Sequence, residues 1–105
     1  MIKVTIKDKK IIITGHANYE EYGKDIVCAS ASGIVITSVN ACLKIESNSL
    51  NYKEEKDKLT IDILSNNETI LLIIENMISM LNELALTYKK NIKITKEERP
   101  WILWN

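Results

Sequence analysis

The chain has 105 residues, 46% of them hydrophobic, enough for one domain with a single core and too few for two domains of ordinary size. Lysine plus arginine equals aspartate plus glutamate at 14 each, so the formal net charge is zero and no basic excess is present to displace counterions from a phosphate backbone. Two cysteines and one histidine are too few soft ligands for a structural zinc site or a disulfide scaffold.

In chain order, Ile2, Val4 and Ile6 alternate with Lys3, Thr5 and Lys7, the period of a strand with one buried face. Asp8 to Lys10 form a turn, and Lys10 to Gly15 carry the β-branched run of a second strand paired to the first as a hairpin. This alternating N-terminus lacks the continuous apolar core of a secretory signal, and no run is expected to approach membrane-spanning length, so a cytoplasmic protein with no membrane partner is expected. Asn18 to Lys24 have the composition of a loop. Asp25 is placed as the cap of a helix from Ile26 to about Glu46, on which Cys28, Val35, Val39 and Cys42 fall near one face.

Leu50 to Glu55 and Lys58 to Leu64 read as a second hairpin, with Leu59, Ile61 and Ile63 in alternation. Ser65 followed by Glu68 has the spacing of a capping box before a helix to about Tyr88. Its core stripe is Ile70, Ile73, Ile74, Met77, Leu81, Leu84 and Tyr88, while Leu72 and Leu86 fall on the polar side as a partner surface. Asn91 to Thr95 form a last strand. The order is ββαββαβ, an α/β (α+β) fold with a mixed or antiparallel sheet and two helices packed on it. Residues 1–105 are expected to form one domain, with 96–105 as a tail containing Trp101 and Trp104.

The chemistry-bearing residues cluster in GHANYEEYGKDIVCAS, Gly15 to Ser30. With Asp25 as N-cap, Cys28 would occupy the third helical position, where unpaired N–H groups and the helix dipole stabilise a thiolate and can hold an oxyanion. Eleven residues separate His16 from Cys28, a spacer long enough to bring them together and equally able to keep them apart. Spacing alone therefore favours the ordinary inert cysteine over a catalytic pair. Cys42 lies deep on the apolar stripe and reads as a core residue. Ser32, one turn past Cys28, can donate to the site or bond back to its own helix. Gly15 and Gly23 bracket the loop as hinges or tight turns, and Tyr19 and Tyr22 either line a groove for a peptide side chain or pack over a sheet edge.

The set Gly15, His16, Ala17, Gly23, Asp25, Val27, Cys28, Ala29 and Ser32, a strand ending in G-H-A followed by a loop and D-x-V-C-A opening a helix, resembles the ribosomal-processing cysteine proteases, the Prp family. The resemblance implies a small α/β homodimer that removes a short N-terminal extension from the twenty-seventh large-subunit ribosomal protein. It implies Cys28 as nucleophile and His16 as its base, with Asp25, Ser32, Gly15 and Gly23 in support and Tyr19 and Tyr22 on a substrate-binding loop. No metal or organic cofactor is required. The ERPWILWN tail and the polar ASAS run after Cys28 depart from the family pattern. A noncatalytic ribosome-associated or protein-binding module is the alternative, and an RNA-binding domain has only the lysines near positions 7–10 and 89–96 in its favour.

Overall fold

A computed structural model of the chain describes residues 1–15 and 22–97, with side chains from Ile26 onward in the helix that starts at Tyr22. Its elements are β1 (Ile2–Lys7), β2 (Lys10–Thr14), α1 (Tyr22–Ile45), β3 (Leu50–Glu55), β4 (Lys58–Ile63), α2 (Glu68–Thr87) and β5 (Ile92–Glu97). The expected ββαββαβ order holds. The strands form one five-stranded sheet in the order β3-β4-β2-β1-β5. Only β1 and β5 run parallel; the other three pairings are antiparallel, so the sheet is mixed.

Period-two alternation decides which sheet face is covered. Val4 pairs with Ile13, Ile6 with Ile11, Ile11 with Ile61, Ile13 with Leu59, and Ile2 with Ile92. These residues point to the helices, and the most enclosed of them, Val4, Ile11, Ile61 and Ile92, are 1% exposed or less. The opposite face carries lysines, threonines and the ion pairs Lys7–Glu97 and Lys10–Asp62, at 3.9 and 3.6 Å. Helix α1 contributes Val27, Ala31, Val35, Val39 and Cys42 to the core, and α2 contributes Ile70, Ile74, Met77 and Leu81. The two helices also pack against each other.

Three expectations need correction. Helix α1 begins at Tyr22, so Asp25 is its fourth residue and not its cap, and Cys28 lies in the second turn. The helix gains these residues because Tyr22 and Lys24 tolerate helical backbone and neither proline nor a β-branched run interrupts them. At α2 the cap is Asn67, whose Oδ1 accepts from the Thr69 and Ile70 N–H groups at 2.8 and 3.4 Å. Ser65 is two residues too early for that role. Its hydroxyl instead donates to Glu46 Oε1 at 2.5 Å and accepts from the Asn67 N–H at 3.0 Å, tying the end of α1 to the start of α2. Finally, Ile26–Ile45 and Glu68–Thr87 are each 20 residues, long and apolar enough by length and composition to cross a bilayer. Their apolar stripes are accounted for by packing on the sheet and on each other.

Both hairpins close with two-residue turns, in which Asp8 and Asp57 adopt left-handed backbone at φ 52° and 61°. Aspartate tolerates that region better than most residues. Gly15, at the end of β2, has φ +85°, and a Cβ there would collide with the Met1 carbonyl oxygen. Its N–H donates to the Asp57 carbonyl at 3.2 Å, joining the end of β2 to the β3–β4 turn. Gly15→Ala combines an unfavourable φ with a backbone clash. It should destabilise the fold by about 2–3 kcal/mol, read as a lower urea midpoint at unchanged m.

Candidate active site

Residues 28–32 of α1, Cys-Ala-Ser-Ala-Ser, are all small. Where they face the sheet, the helix leaves a cleft of about 320 Å³, within the range that admits side chains of a bound ligand. Cys28, Ala31, Ser32 and Val35 form its helical wall. Ile2, Val4, Ile13 and Leu59 form an apolar floor from the sheet, closed at depth by Leu81 of α2. The rim is polar: Tyr52, Glu54, Asp57 and Lys58 come from the β3–β4 hairpin, and Gly15 from the end of β2.

Cys28 sits beside the fully buried Val27 and is itself half-buried, with its thiol free. A thiol in that position meets both an apolar wall and an opening to solvent. Side chains on a helix lean toward its N-terminus, so the sulfur covers the turn that precedes Cys28. The dipole contribution at a second-turn residue is weaker than at the first turn, where the N–H groups of residues 22–24 have no intrahelical acceptor.

Cys42 is the contrasting case. It is wholly enclosed in the core, and burial pushes its thiol up from the ordinary value, away from a reactive thiolate. Its carbonyl accepts from the Ser49 hydroxyl at 3.1 Å, a link that pins the end of α1 to the following strand. The expected assignment of Cys42 to the core holds.

Of the sequence-derived site residues, Gly15, Cys28 and Ser32 line the same cleft. Ser32 makes no hydrogen bond to a described residue, so the back-bond to its own helix that Ser38 makes with Ile34, at 2.8 Å, is absent at Ser32. His16, Ala17 and Tyr19 lie outside the described residues, as do Trp101 and Trp104. Tyr22, Gly23 and Asp25 are described as helical backbone only. Among the described residues no group of three His, Cys, Asp or Glu side chains is arranged to hold a metal ion.

Sequence reasoning missed the contribution of the β3–β4 hairpin. Leu50, Tyr52 and Glu54 share one face of β3, and the last of them is a charge where alternation calls for an apolar residue. That break was the available signal. Tyr52 is raised from the ordinary tyrosine range, first by burial and then by the neighbouring Glu54 carboxylate.

A sequence model of the family described as cysteine protease Prp matches residues 1–93. This chain belongs to the Prp family of cysteine proteases. Among its relatives, the ribosomal processing cysteine protease Prp of Staphylococcus aureus (strain NCTC 8325 / PS 47) is 33% identical over 100 residues, covering 89% of this chain and 94% of that protein. The Prp of Bacillus subtilis (strain 168) is 32% identical over 111 residues, covering 90% and 96%. The crystal structure of an essential ribosomal processing protease Prp from S. aureus with a covalently linked product peptide matches with a TM-score of 0.83 at 32% identity, over 92% of this chain and all of that one. A second S. aureus Prp structure, in complex with a substrate peptide, matches with a TM-score of 0.78 at 29% identity, over 91% and 97%.

Membership makes the chain a cysteine protease, a peptide hydrolase, and sets aside the noncatalytic module. The Prp match ends at residue 93, short of the ERPWILWN stretch.

Proposed function

We propose that the chain is a cysteine endopeptidase that removes the N-terminal extension of the twenty-seventh large-subunit ribosomal protein, with Cys28 as nucleophile and His16 as general base. The observation that carries this reading is the cleft shared by the half-buried Cys28 thiol and Gly15, because His16 is joined to Gly15 by a single peptide bond. Adjacent Cα atoms are about 3.8 Å apart. The covalent product of the S. aureus relative, and the relatives' designation as ribosomal processing enzymes, support the peptide substrate and its ribosomal origin.

In the proposed reaction His16 takes the Cys28 proton, and the thiolate attacks the scissile carbonyl carbon to form a tetrahedral oxyanion. The unpaired N–H groups of the first turn of α1 are the donors assigned to that oxyanion. As the C–N bond breaks, the His16 imidazolium returns the proton to the leaving amine, and the acyl group remains on Cys28 as a thioester. His16 then deprotonates a water, which attacks the thioester and releases the new carboxylate and the thiol. Tyr19 is assigned to the loop that faces the peptide, Tyr22 to the same role from the first residue of α1, and Asp25 and Ser32 to positioning.

The substrate assignment is tested by incubating the protein with the extended ribosomal protein and following intact mass. Loss of the N-terminal extension is expected, and an unchanged mass after prolonged incubation would remove the assignment.

A cytoplasmic homodimer is also proposed. Leu72 and Leu86 are 63% and 70% exposed on one side of α2, large apolar groups that association would cover. Sedimentation should show a dimer at micromolar concentration, and Leu72→Lys with Leu86→Lys should shift it to monomer. A wild-type protein that sediments only as monomer would exclude this arrangement.

A further inference from the structure

On the helix-covered face of the sheet, one cross-strand row runs Ile94, Val4, Ile13, Leu59, Glu54. Four apolar residues are followed by a carboxylate directly opposite Leu59. Val4, Ile13, Leu59 and Glu54 all line the cleft that holds Cys28, so the apolar floor ends on a negative charge.

That charge has no partner among the described residues. The ion pairs Lys7–Glu97 and Lys10–Asp62 lie on the open face of the sheet, and Glu54 takes part in neither. Glu55, Asp57 and Lys58 also line the cleft at the hairpin end; Lys58, the one cation among the lining residues, has Glu55 as its register partner and forms no ion pair with Glu54. Glu54 is therefore the uncompensated charge of the inner row, and it is exposed. A strand position that continues Leu50 and Tyr52 would ordinarily carry another apolar residue if packing alone decided it.

We propose that Glu54 is a specificity-determining residue that selects peptides with a lysine or arginine flanking the apolar residues seated on the cleft floor. The inference rests on the reading of this cleft as the peptide-binding site. A peptide laid across the cleft partly excludes water from Glu54, which strengthens an ion pair relative to a fully solvated one. A neutral side chain at the same place would leave the carboxylate covered and unpaired. An acidic one would add repulsion, so the pocket discriminates by attraction and by exclusion together.

The test uses fluorogenic peptides that share an apolar centre around the scissile bond and carry lysine, glutamine or glutamate at one position, moved stepwise along each side. Wild-type protein should cleave the lysine peptide about three- to ten-fold more efficiently in kcat/KM than the glutamine peptide at one of those positions, and the preference should shrink as salt is raised. Glu54→Gln should bring the lysine-to-glutamine ratio close to one, Glu54→Lys should reverse it in favour of the glutamate peptide, and Glu54→Asp should retain part of it. A ratio near one at every position in wild-type protein that cleaves all the peptides would overturn the inference and leave the active site standing. A preference that survives unchanged in Glu54→Gln would overturn it equally, because another group would then be reading the charge. If wild-type protein cleaved none of the peptides while Cys28 stayed reactive to a small alkylating agent, the reading of the cleft as the peptide site would fall, and this inference with it.

Discussion

Cys28→Ala should reduce kcat/KM for peptide cleavage by about 10⁴-fold or more while leaving the fold in place. The size follows from the chemistry: without the sulfur no acyl-enzyme forms, and what remains is whatever substrate binding and charge stabilisation supply to attack by water. The fold survives because Cys28 is only half-buried beside a cleft and alanine is a better helix former than cysteine. Cys28→Ser should be almost as inactive, because a hydroxyl offers far less nucleophile than a thiolate with the same base. Cys42 provides the internal contrast. Cys42→Ala should cleave peptide normally and lose stability by about 1–2 kcal/mol through the small cavity it leaves, since its sulfur is fully enclosed and kept protonated by burial. Alkylation with iodoacetamide should divide the two in the same way, labelling Cys28 in the native protein and Cys42 only after unfolding. Full cleavage by Cys28→Ala would sink the nucleophile assignment. His16→Ala should fall nearly as far, and the double variant should be little worse than either alone, because two groups that act in one step are not additive.

The strands were legible because each buries one face, which writes period two into the chain: Leu50 to Glu55 and Lys58 to Ile63 were placed to within a residue. The core stripe of α2 was legible for the same reason at period 3.6. Helix starts were less so. Several oxygen-bearing side chains near a helix start compete to cap it, and which one reaches the N2 or N3 amide depends on where the backbone turns. Asn67 took that position from Ser65, and Asp25 fell inside α1 altogether. Strand order was not legible, because alternation says which face is buried and nothing about which neighbour lies alongside. The parallel pairing of β1 with β5 joins residues 90 apart in the chain.

The same limit applied to the site. Cys28, Ser32 and Gly15 stood out because their residue types carry chemistry or backbone freedom, and the structure does bring them to one cleft. Tyr52, Glu54 and Leu59 belong to a hairpin that was legible, but they reach that cleft only through the β2–β4 pairing, a long-range contact that a local pattern does not encode. The small residues of the ASAS run were legible as a departure from the family pattern. Their consequence, a helix wall thin enough to leave an opening of about 320 Å³ beside the thiol, emerges only when the sheet is opposite.

Ile11→Ala should destabilise the protein by about 3–5 kcal/mol, a large share of the 5–15 kcal/mol that holds a domain of this size. Ile11 lies on β2, the central strand, and its inward side chain is flanked by Ile6 on one side and Ile61 on the other. All three are buried, so no solvent-facing neighbour can move in to fill the space. The loss therefore includes both the transfer term of three carbons and most of the cavity term. Thermal unfolding should show a melting temperature lower by about 10–20 °C, at the few degrees per kcal/mol expected for roughly 100 residues. Ile11→Val, which removes one methylene and keeps the β-branch, should cost about 0.5–1.5 kcal/mol. Ile12 is the control one residue away on the uncovered face, between Thr5 and Thr60. Ile12→Thr keeps the branched shape, and it should cost less than about 1 kcal/mol. Equal costs at positions 11 and 12 would contradict the one-sided sheet on which the placement of the cleft depends. In a double variant with Ile61→Ala the two losses should not add, because removing either side chain opens the same space and the second truncation only enlarges it.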